Sequence, residues 1–232
     1  HEDILKNASM RQDFTANVSH ELKTPLAAIS GYSELIENGM VSEKDIARFG
    51  GEIHKSADRL LTLINDTIRL SELDATTQDV VLETVDLYQA AENCMDTLEI
   101  SAQKHDVTLK LEGVPCKIRT EKGMADEVIY NLCDNAIRYN NKGGSVTISV
   151  LPVANQVVLS VKDTGIGISK EHQERIFERF YRVDKSRSKS TGGTGLGLAI
   201  VKHIVARNGA RMELTSEVGK GTEIKIYFDK AA

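Results

Sequence analysis

The sequence has no long apolar run, no CxxC pair and no excess of positive charge. No apolar stretch is long enough to cross a bilayer, and the N-terminus lacks the pattern of a signal peptide. The 29 Lys and Arg residues against 34 Asp and Glu give a net charge of −5, which argues against a general nucleic-acid binder. The three cysteines, Cys94, Cys116 and Cys133, are predicted to be small buried thiols in a reducing compartment.

The composition is that of a soluble globular protein, with 41% apolar and 27% charged residues. The length of 232 residues suggests one large domain or two small ones. The chain starts abruptly within a helical pattern, at His1-Glu2-Asp3, which suggests a fragment of something longer. The lack of membrane segments therefore says nothing about the parent protein.

Apolar residues at helical spacing predict a long first helix from Ile4 to about Glu37. Its stretch from Phe14 to Leu26 centres on His20, which lies beside the apolar seam and not in it. Pro25 removes a backbone donor, so a kink is expected just after His20.

A second helix is predicted from Ser42 to about Leu73, after a stop at Asn38-Gly39 where the glycine suits a left-handed cap. Two long helices joined by a short turn form an antiparallel hairpin. One hairpin cannot cover both apolar stripes, so two hairpins are expected to pair into a four-helix bundle, which makes the protein a homodimer. Packing of the hairpin on the domain that follows is the alternative.

The rest of the chain has a different pattern. Residues 75–80 are polar and lack periodicity, which is typical of a linker. Beyond them strand-like and helical segments are mixed, which favours an α+β layer sandwich. The predicted domains are an all-α helical hairpin over 1–74, the linker over 75–80 and an α+β domain over 81–232. The predicted strands lie near 81–85, 107–111, 116–120, 145–151, 156–162, 211–216 and 222–228, and the predicted helices near 86–104, 123–139, 171–177 and 196–208.

The pair His20-Glu21 on the first helix carries the first chemical signal. A carboxylate that accepts the N–H of one ring nitrogen fixes the imidazole tautomer and makes the other nitrogen a better nucleophile. Taken alone, the pair is more often a surface histidine next to a surface glutamate.

A polar face is predicted on the helix near residue 131. Asn131, Asn135 and then Arg138 or Tyr139 lie about one turn apart. An asparagine carbonyl is a hard oxygen ligand that Mg²⁺ accepts beside phosphate oxygens and water, and a guanidinium fork meets phosphate well. A solvated polar face is the alternative interpretation.

Glycine-rich turns follow two predicted elements. Asp163 ends a strand before Thr164-Gly165-Ile166-Gly167, where an acid can accept a hydrogen bond from an amino group such as that of adenine; an ordinary turn aspartate is the alternative. Residues 192–197 (GGTGLG) open a helix, whose free N–H groups favour an anion. Neither the Rossmann fingerprint nor the Walker P-loop fits this loop. Between the two turns a basic stretch that includes Arg182 is predicted to be a lid or, alternatively, a solvated loop.

Taken together, these stretches resemble the sensor histidine kinases of bacterial two-component systems. The resemblance rests on SHELKTPL, NLCDNAIRY, DTGIGI, FERFYR and GTGLGLAIV, in that order, and covers essentially the whole chain. It implies a dimeric hairpin phosphoacceptor domain followed by a Bergerat-type ATP-binding domain.

The resemblance implies specific roles. His20 would be phosphorylated by ATP with Glu21 as its acid/base partner, and Asn135 would be the Mg²⁺ ligand. Asp163 would bind adenine, and Arg182 would meet the γ-phosphate. The other residues predicted to bind the nucleotide are Asn131, Arg138, Tyr139, Gly165, Gly167, Gly193, Thr194, Gly195, Leu196, Gly197 and Thr222.

One position departs from the family, because many relatives carry Lys where this chain has Arg138, so the phosphate contact is expected to differ in geometry. Glu21 and Thr24 resemble the pair that positions a water against a phosphorylated partner, so phosphatase activity toward the regulator is a further hypothesis. The expected partners are a second copy of the chain and a response-regulator receiver domain, with no nucleic acid. The fragment is expected to be the cytoplasmic part of a membrane-bound sensor.

Three rival functions fit less well. An ATP hydrolase of the gyrase and Hsp90 kind would need a Glu base where this chain has Asn131. A non-catalytic scaffold would have an incomplete acceptor stretch, and a protein serine kinase of the anti-sigma type should lack the hairpin with His20.

Overall fold

The computed structural model describes residues 2–75, 81–183 and 193–231, with side chains from residue 14 onward. The chain divides into two compact units. Among the described residues, the first unit holds 2–71 and 193–196, and the second holds 72–75, 81–183 and 197–231. No described helix is both long enough and apolar enough to cross a membrane.

Two long helices dominate the first unit, α1 (Glu2–Glu37) and α2 (Glu43–Asp74). Gly39 takes the predicted left-handed conformation at φ +63°, and the N–H of Met40 donates to the carbonyl of Leu35 at 3.0 Å, which closes the end of α1. The predicted stop and the predicted hairpin are thereby confirmed. Helix α1 is continuous through the buried Pro25, and the predicted kink there stays a prediction.

The hairpin buries one apolar stripe and exposes another. Leu63 and Leu70 of α2 are fully buried, and Tyr32 meets Phe49 edge to face at 5.1 Å between ring centroids. A second stripe of α2 follows an i, i+3, i+7 spacing and points outward, with Leu61, Ile64 and Ile68 exposed by 58%, 39% and 53%.

The second unit contains a two-stranded antiparallel sheet, a five-stranded mixed sheet and the helices that cover them. Strands β1 (Leu82–Asp86) and β3 (Lys117–Glu121) pair antiparallel. The larger sheet has the order β2-β4-β5-β7-β6, with β2 parallel to β4 and the other pairs antiparallel. Its strands are β2 (Val107–Gly113), β4 (Gly144–Val153), β5 (Gln156–Asp163), β6 (Arg211–Glu217) and β7 (Gly221–Asp229).

Helices cover one face of this sheet. Helix α3 (Leu87–His105) packs on β2 and β4, α4 (Met124–Arg138) on β4 and β5, and α6 (Gly197–Arg207) on β6. Alternate strand residues such as Val146, Ile148 and Leu159 point into the core between the layers. The predicted α+β layer sandwich is confirmed.

Local predictions hold within a few residues. The carboxylate of Asp86 accepts the N–H groups of Tyr88 and Gln89 and caps α3 as expected. All three cysteines are buried free thiols, as predicted. The predicted helix over 171–177 is instead two short pieces, α5 (Lys170–Gln173) and a 3₁₀ turn (Arg175–Phe177), because the Glu178 N–H bonds back to Arg175 and tightens the end. Most of the predicted basic lid lies outside the described residues.

Candidate phosphoacceptor and nucleotide sites

Asp163, the last residue of β5, is the centre of the candidate nucleotide site in the second unit. Its Oδ1 accepts the backbone N–H of Gly165 at 2.7 Å and that of Thr222, on β7, at 3.2 Å. Burial raises the pKa of this half-buried carboxyl, and the two backbone hydrogen bonds partly offset that rise. Among the described residues no hydrogen bond reaches Oδ2, so this oxygen can accept one from a ligand.

Glycines allow three backbone segments to close around Asp163. A Cβ added to Gly165 would overlap the carbonyl oxygen of Tyr139, and one added to Gly167 would overlap that of Glu217. A Cβ on Gly221 would overlap the carbonyl of Asp163 itself. The predicted glycines are therefore needed for close approach, and Gly221 is an additional site residue that the sequence analysis did not assign.

Side chains outside the predicted set fix the glycine turn. The Ser216 hydroxyl accepts the N–H of Ile168 at 2.9 Å and lies 2.8 Å from the hydroxyl of Thr222. On the opposite side, Thr164 accepts the N–H of Ser145 at 2.9 Å. Ser216 and Thr164 were missed because their partners are distant in sequence, and only the polar run around the turn hinted at them.

The polar face of α4 contains the predicted asparagines. Asn131 donates its amide to the Glu127 carbonyl at 2.8 Å, and its Oδ1 would lie 2.6 Å from a Cβ on Gly197, so the start of α6 touches this side chain. Asn135 is half-buried, and no hydrogen bond to its side chain occurs in the described part of the chain. Its amide oxygen is thereby available to a ligand.

The end of α4 carries Arg138 and Tyr139, whose predicted contacts with the nucleotide stay predictions. Arg138 donates from Nε to the Asp134 carboxylate at 2.6 Å, an i, i+4 pair on the helix. Tyr139 ends the helix, and its carbonyl accepts the N–H of Ile166 at 3.1 Å. The Tyr139 backbone thus anchors the glycine turn beside α4, while the structure places the Arg138 fork on a carboxylate.

The residues present fit a magnesium ion held together with phosphate. No cluster of three or more His, Cys, Asp or Glu that could hold a metal occurs among residues 14–75, 81–183 and 193–231. One neutral oxygen ligand such as that of Asn135 suits an ion whose other ligands are phosphate oxygens and water.

The glycine loop is divided between the two units. Residues 193–196 belong to the first unit, where the buried Thr194 donates its hydroxyl to Asp66 of α2 at 2.7 Å and accepts the Leu196 N–H at 3.3 Å. Gly195 has φ +77°. Gly197 begins α6 in the second unit, and Arg182 is half-buried near the end of the described segment 81–183.

His20 lies on the outer side of α1 with its side chain exposed. Its neighbour Glu21 is half-buried and accepts a hydrogen bond from Arg59 Nη2, on α2, at 3.2 Å. Thr24 is exposed one turn further along, and its hydroxyl points back to the His20 carbonyl at 3.5 Å. An exposed imidazole can meet an incoming group, whereas the adjacent carboxylate is held across the hairpin.

Two family models match the chain in succession. The His Kinase A (phospho-acceptor) domain matches residues 10–76, and the histidine kinase-, DNA gyrase B- and HSP90-like ATPase matches residues 120–232. The first match contains the exposed histidine and the second contains Asp163 and the glycine turns. The chain belongs to the sensor histidine kinases. The resemblance noted from the motifs is confirmed.

Two curated relatives match this histidine kinase region with the same sequence identity. Sensor-like histidine kinase SenX3 of Mycolicibacterium smegmatis is 37% identical over 217 residues, which cover 93% of this chain and 56% of the relative. Sensor histidine kinase WalK of Bacillus subtilis is 37% identical over 229 residues, covering 96% of this chain and 38% of the relative. The chain therefore spans roughly half or less of these proteins.

Solved structures support the fold. Full-length ShkA in complex with AMPPNP is 26% identical, with a TM-score of 0.69 and coverage of 95% of this chain and 46% of that one. Histidine kinase ThkA in complex with the response regulator TrrA has a TM-score of 0.76 at 20% identity, covering 97% of this chain and 64% of that one. The second likeness concerns the fold alone.

Proposed function

We propose that this chain transfers the γ-phosphoryl group of ATP to His20 and passes it on to an aspartate of a response regulator. The observation that carries the proposal is the half-buried Asp163, whose Oδ1 is fixed by two backbone N–H groups while Oδ2 takes no hydrogen bond from the described residues. Such a carboxylate suits the amino group of adenine. The 26% identical ShkA binds AMPPNP, an ATP analogue, which supports the same ligand here.

The roles of the other predicted residues are proposed from their positions on the helices. Asn135 would hold Mg²⁺, and Asn131 lies one turn earlier on the same face. The bound ion would offset the charge of the phosphates. We assign Gly197 to the phosphates because it begins α6, whose N–H groups favour an anion, while Arg182 and residues 193–196 stay predicted phosphate contacts.

At the acceptor, the chemistry needs an exposed ring nitrogen and a base. The nitrogen of His20 attacks phosphorus, the bond to the leaving ADP oxygen breaks, and Glu21 accepts the proton of the other ring nitrogen. His20 is exposed, which allows the in-line approach.

Labelling with γ-³²P ATP tests the assignment. The wild-type chain should acquire acid-labile, base-stable label, and His20→Gln should remove it. His54→Gln is a matched control, since His54 is also exposed on the hairpin but pairs with Asp58 on its own helix. Label that persists in the His20 variant would refute the proposal.

A separate experiment tests the nucleotide side. Asn135→Ala and Asp163→Asn should each weaken binding of a fluorescent ATP analogue by about tenfold or more, because each removes one polar contact to a desolvated ligand. Asn155→Ala, in the turn between β4 and β5, should bind normally. Unchanged affinity in both site variants would contradict the assigned pocket.

We also propose that the hairpin dimerises. The exposed stripe of Leu61, Ile64 and Ile68 is the surface that a second hairpin would cover. Ile64→Asp should place a charge in that interface and shift the protein to monomers in analytical ultracentrifugation, while Ile100→Asp on α3, 67% exposed, should leave the dimer intact. A dimer that survives Ile64→Asp would show that this stripe is not the interface.

Phosphatase activity toward the regulator is the finer part of the proposal. Thr24 is exposed one helical turn beyond His20, where its hydroxyl could orient a water. Thr24→Ala should spare autophosphorylation and abolish dephosphorylation of the phosphorylated regulator. Equal loss of both activities would reject this role.

The rival ATP hydrolase is disfavoured by Asn131. This side chain occupies the place of the general base and can only hydrogen-bond, as it does to the Glu127 carbonyl.

We further propose that the region is the cytoplasmic part of a membrane-bound sensor, which fractionation of the full-length protein would test.

A further inference from the structure

The carboxylate of Glu21 is bound to Arg59 in this structure. Arg59 Nη2 on α2 donates to Glu21 Oε2 on α1 at 3.2 Å, across 38 positions of sequence. The two side chains are only 18% and 31% exposed. The pair therefore lies in the groove between the helices, where solvent screens it weakly.

Other ion pairs of the hairpin have a different character. Arg48 pairs with Asp45 within α2, and these side chains are 69% and 44% exposed. His54 and Asp58 are likewise close in sequence and exposed. Among the ion pairs described for residues 14–71, the Arg59–Glu21 pair is the one that joins the two helices.

His20 and Glu21 are adjacent in the sequence, yet they face different surroundings. Successive helical residues point about 100° apart, and here His20 faces solvent while Glu21 faces α2. No hydrogen bond joins the two side chains within the described part of the hairpin. To accept the ring proton of His20, the carboxylate has to turn out of the groove, away from Arg59.

We infer that Arg59 is a positioning residue that restrains autophosphorylation by holding Glu21 in the groove between α1 and α2. The inference rests on the proposed role of Glu21 as the proton acceptor. Arg59 and the ring N–H of His20 compete for the same carboxylate, so a movement of α1 against α2 that separates Arg59 from Glu21 activates the acceptor.

The proton balance explains the direction of the effect. When the bond from nitrogen to phosphorus forms and ADP leaves, the ring proton moves to Glu21, which becomes neutral. A neutral Glu21 no longer attracts the weakly solvated guanidinium, so Arg59 opposes this transfer. Without Arg59 the carboxylate no longer has to leave this charged partner across the groove when it turns towards His20.

The test is Arg59→Met in the 232-residue chain, which keeps much of the side-chain volume and removes the charge. The rate of autophosphorylation at saturating ATP should rise about fivefold, which corresponds to the loss of an ion pair worth about 1 kcal/mol that the carboxylate otherwise has to break. The KM for ATP should not change, because the substitution is in the hairpin. Arg59→Lys, which keeps the charge, should give a smaller increase.

Two controls isolate the contact. Arg48→Met removes an exposed arginine of the same helix and should leave the rate unchanged. In a Glu21→Gln background, Arg59→Met should produce no increase, because the group that Arg59 restrains is no longer a base. If Arg59→Met does not fold, as judged by its thermal unfolding, Arg59→Gln replaces it.

The outcomes separate this inference from the proposed function. A lower rate in Arg59→Met at unchanged KM and unchanged thermal stability would mean that Arg59 assists the reaction, and would overturn the inference. An equal increase in the Glu21→Gln background would overturn it as well. A Glu21→Gln variant with the wild-type rate would instead refute the proposed base, and label on His20 would remain the separate measure of kinase activity.

Discussion

The helical hairpin and the sheet unit differ in how completely they bury their apolar side chains. In the sheet unit, Ile148 and Leu159 are completely buried between strands and helices of the same chain. In the hairpin, Leu61 and Ile68 remain more than half exposed although they lie at helical spacing. One unit completes its own core, whereas the other has a second apolar surface that stays exposed.

The same difference applies to the two candidate sites. Around Asp163, glycine contacts and backbone hydrogen bonds leave little freedom, as a rigid ligand pocket requires. At the candidate acceptor, His20 is exposed, and the neighbouring Glu21 carboxylate pairs with Arg59 across the hairpin. The comparison teaches that the proposed nucleotide site is fixed by close backbone contacts, whereas the proposed acceptor lies on an exposed helix surface.

Removal of a core side chain should give the largest effect. Leu159→Ala deletes a fully buried side chain of β5 and should lower the free energy of unfolding by about 2–5 kcal/mol, measured by urea denaturation followed by circular dichroism. Leu61→Ala should cost much less within one hairpin and should instead weaken dimerisation. Equal losses of stability from both would contradict the contrast between the two units.

A methyl group at Gly167 should have the next largest effect. Gly167→Ala forces a Cβ onto the Glu217 carbonyl and also strains a residue at φ +67°, so we expect a loss of about 2–3 kcal/mol and weaker nucleotide binding. Gly219→Ala is the matched control, because Gly219 also has a positive φ, +81°, but no atom lies within 4 Å of the added Cβ. Its cost should be about 1–2 kcal/mol, from backbone strain alone. If the two variants lose the same free energy of unfolding, the contact between the added Cβ and the Glu217 carbonyl does not contribute to the loss.

In the helical hairpin, an added methyl group should raise the stability, whereas at Gly167 it should lower it. Gly50 lies inside α2, is exposed, and has no neighbouring atom within 4 Å of an added Cβ. Gly50→Ala should therefore stabilise the hairpin by about 0.5–1 kcal/mol through higher helix propensity, seen as a higher thermal midpoint. A destabilised variant would indicate that this surface is packed against a partner.

The smallest effect concerns pH and is confined to the sheet unit. Burial raises the pKa of Asp163 above its ordinary value of 3.8, so the folded state binds the proton more tightly than the unfolded state. As the pH rises from 3.8 through the raised pKa of Asp163, the free energy of unfolding of the wild type should fall, whereas that of Asp163→Asn should not. Substitutions in the helical hairpin should leave this difference between the two proteins unchanged. Denaturation curves at several pH values, without nucleotide, measure it, and parallel curves for both proteins would contradict it.

Much of the fold could be predicted from the sequence because periodicity and turn residues act locally. Local residues determine three of these features: the left-handed turn at Gly39, the helix cap at Asp86 and the β-hairpin of β4 and β5. The pattern did not predict which strands pair across long distances, such as β2 with β4 in parallel, because that pairing depends on the packing of α3.

The sequence by itself determined which residues are candidates for the chemistry: the histidine with its adjacent acid, the asparagines one turn apart and the glycines of the turns. Only the tertiary structure decided what each side chain bonds to, because the partners come from distant segments. It placed Thr222 on Asp163, and it placed Arg59 on the acid beside His20. A charged group takes the best partner that the packed helices and strands bring within reach, and a linear pattern does not contain that distance.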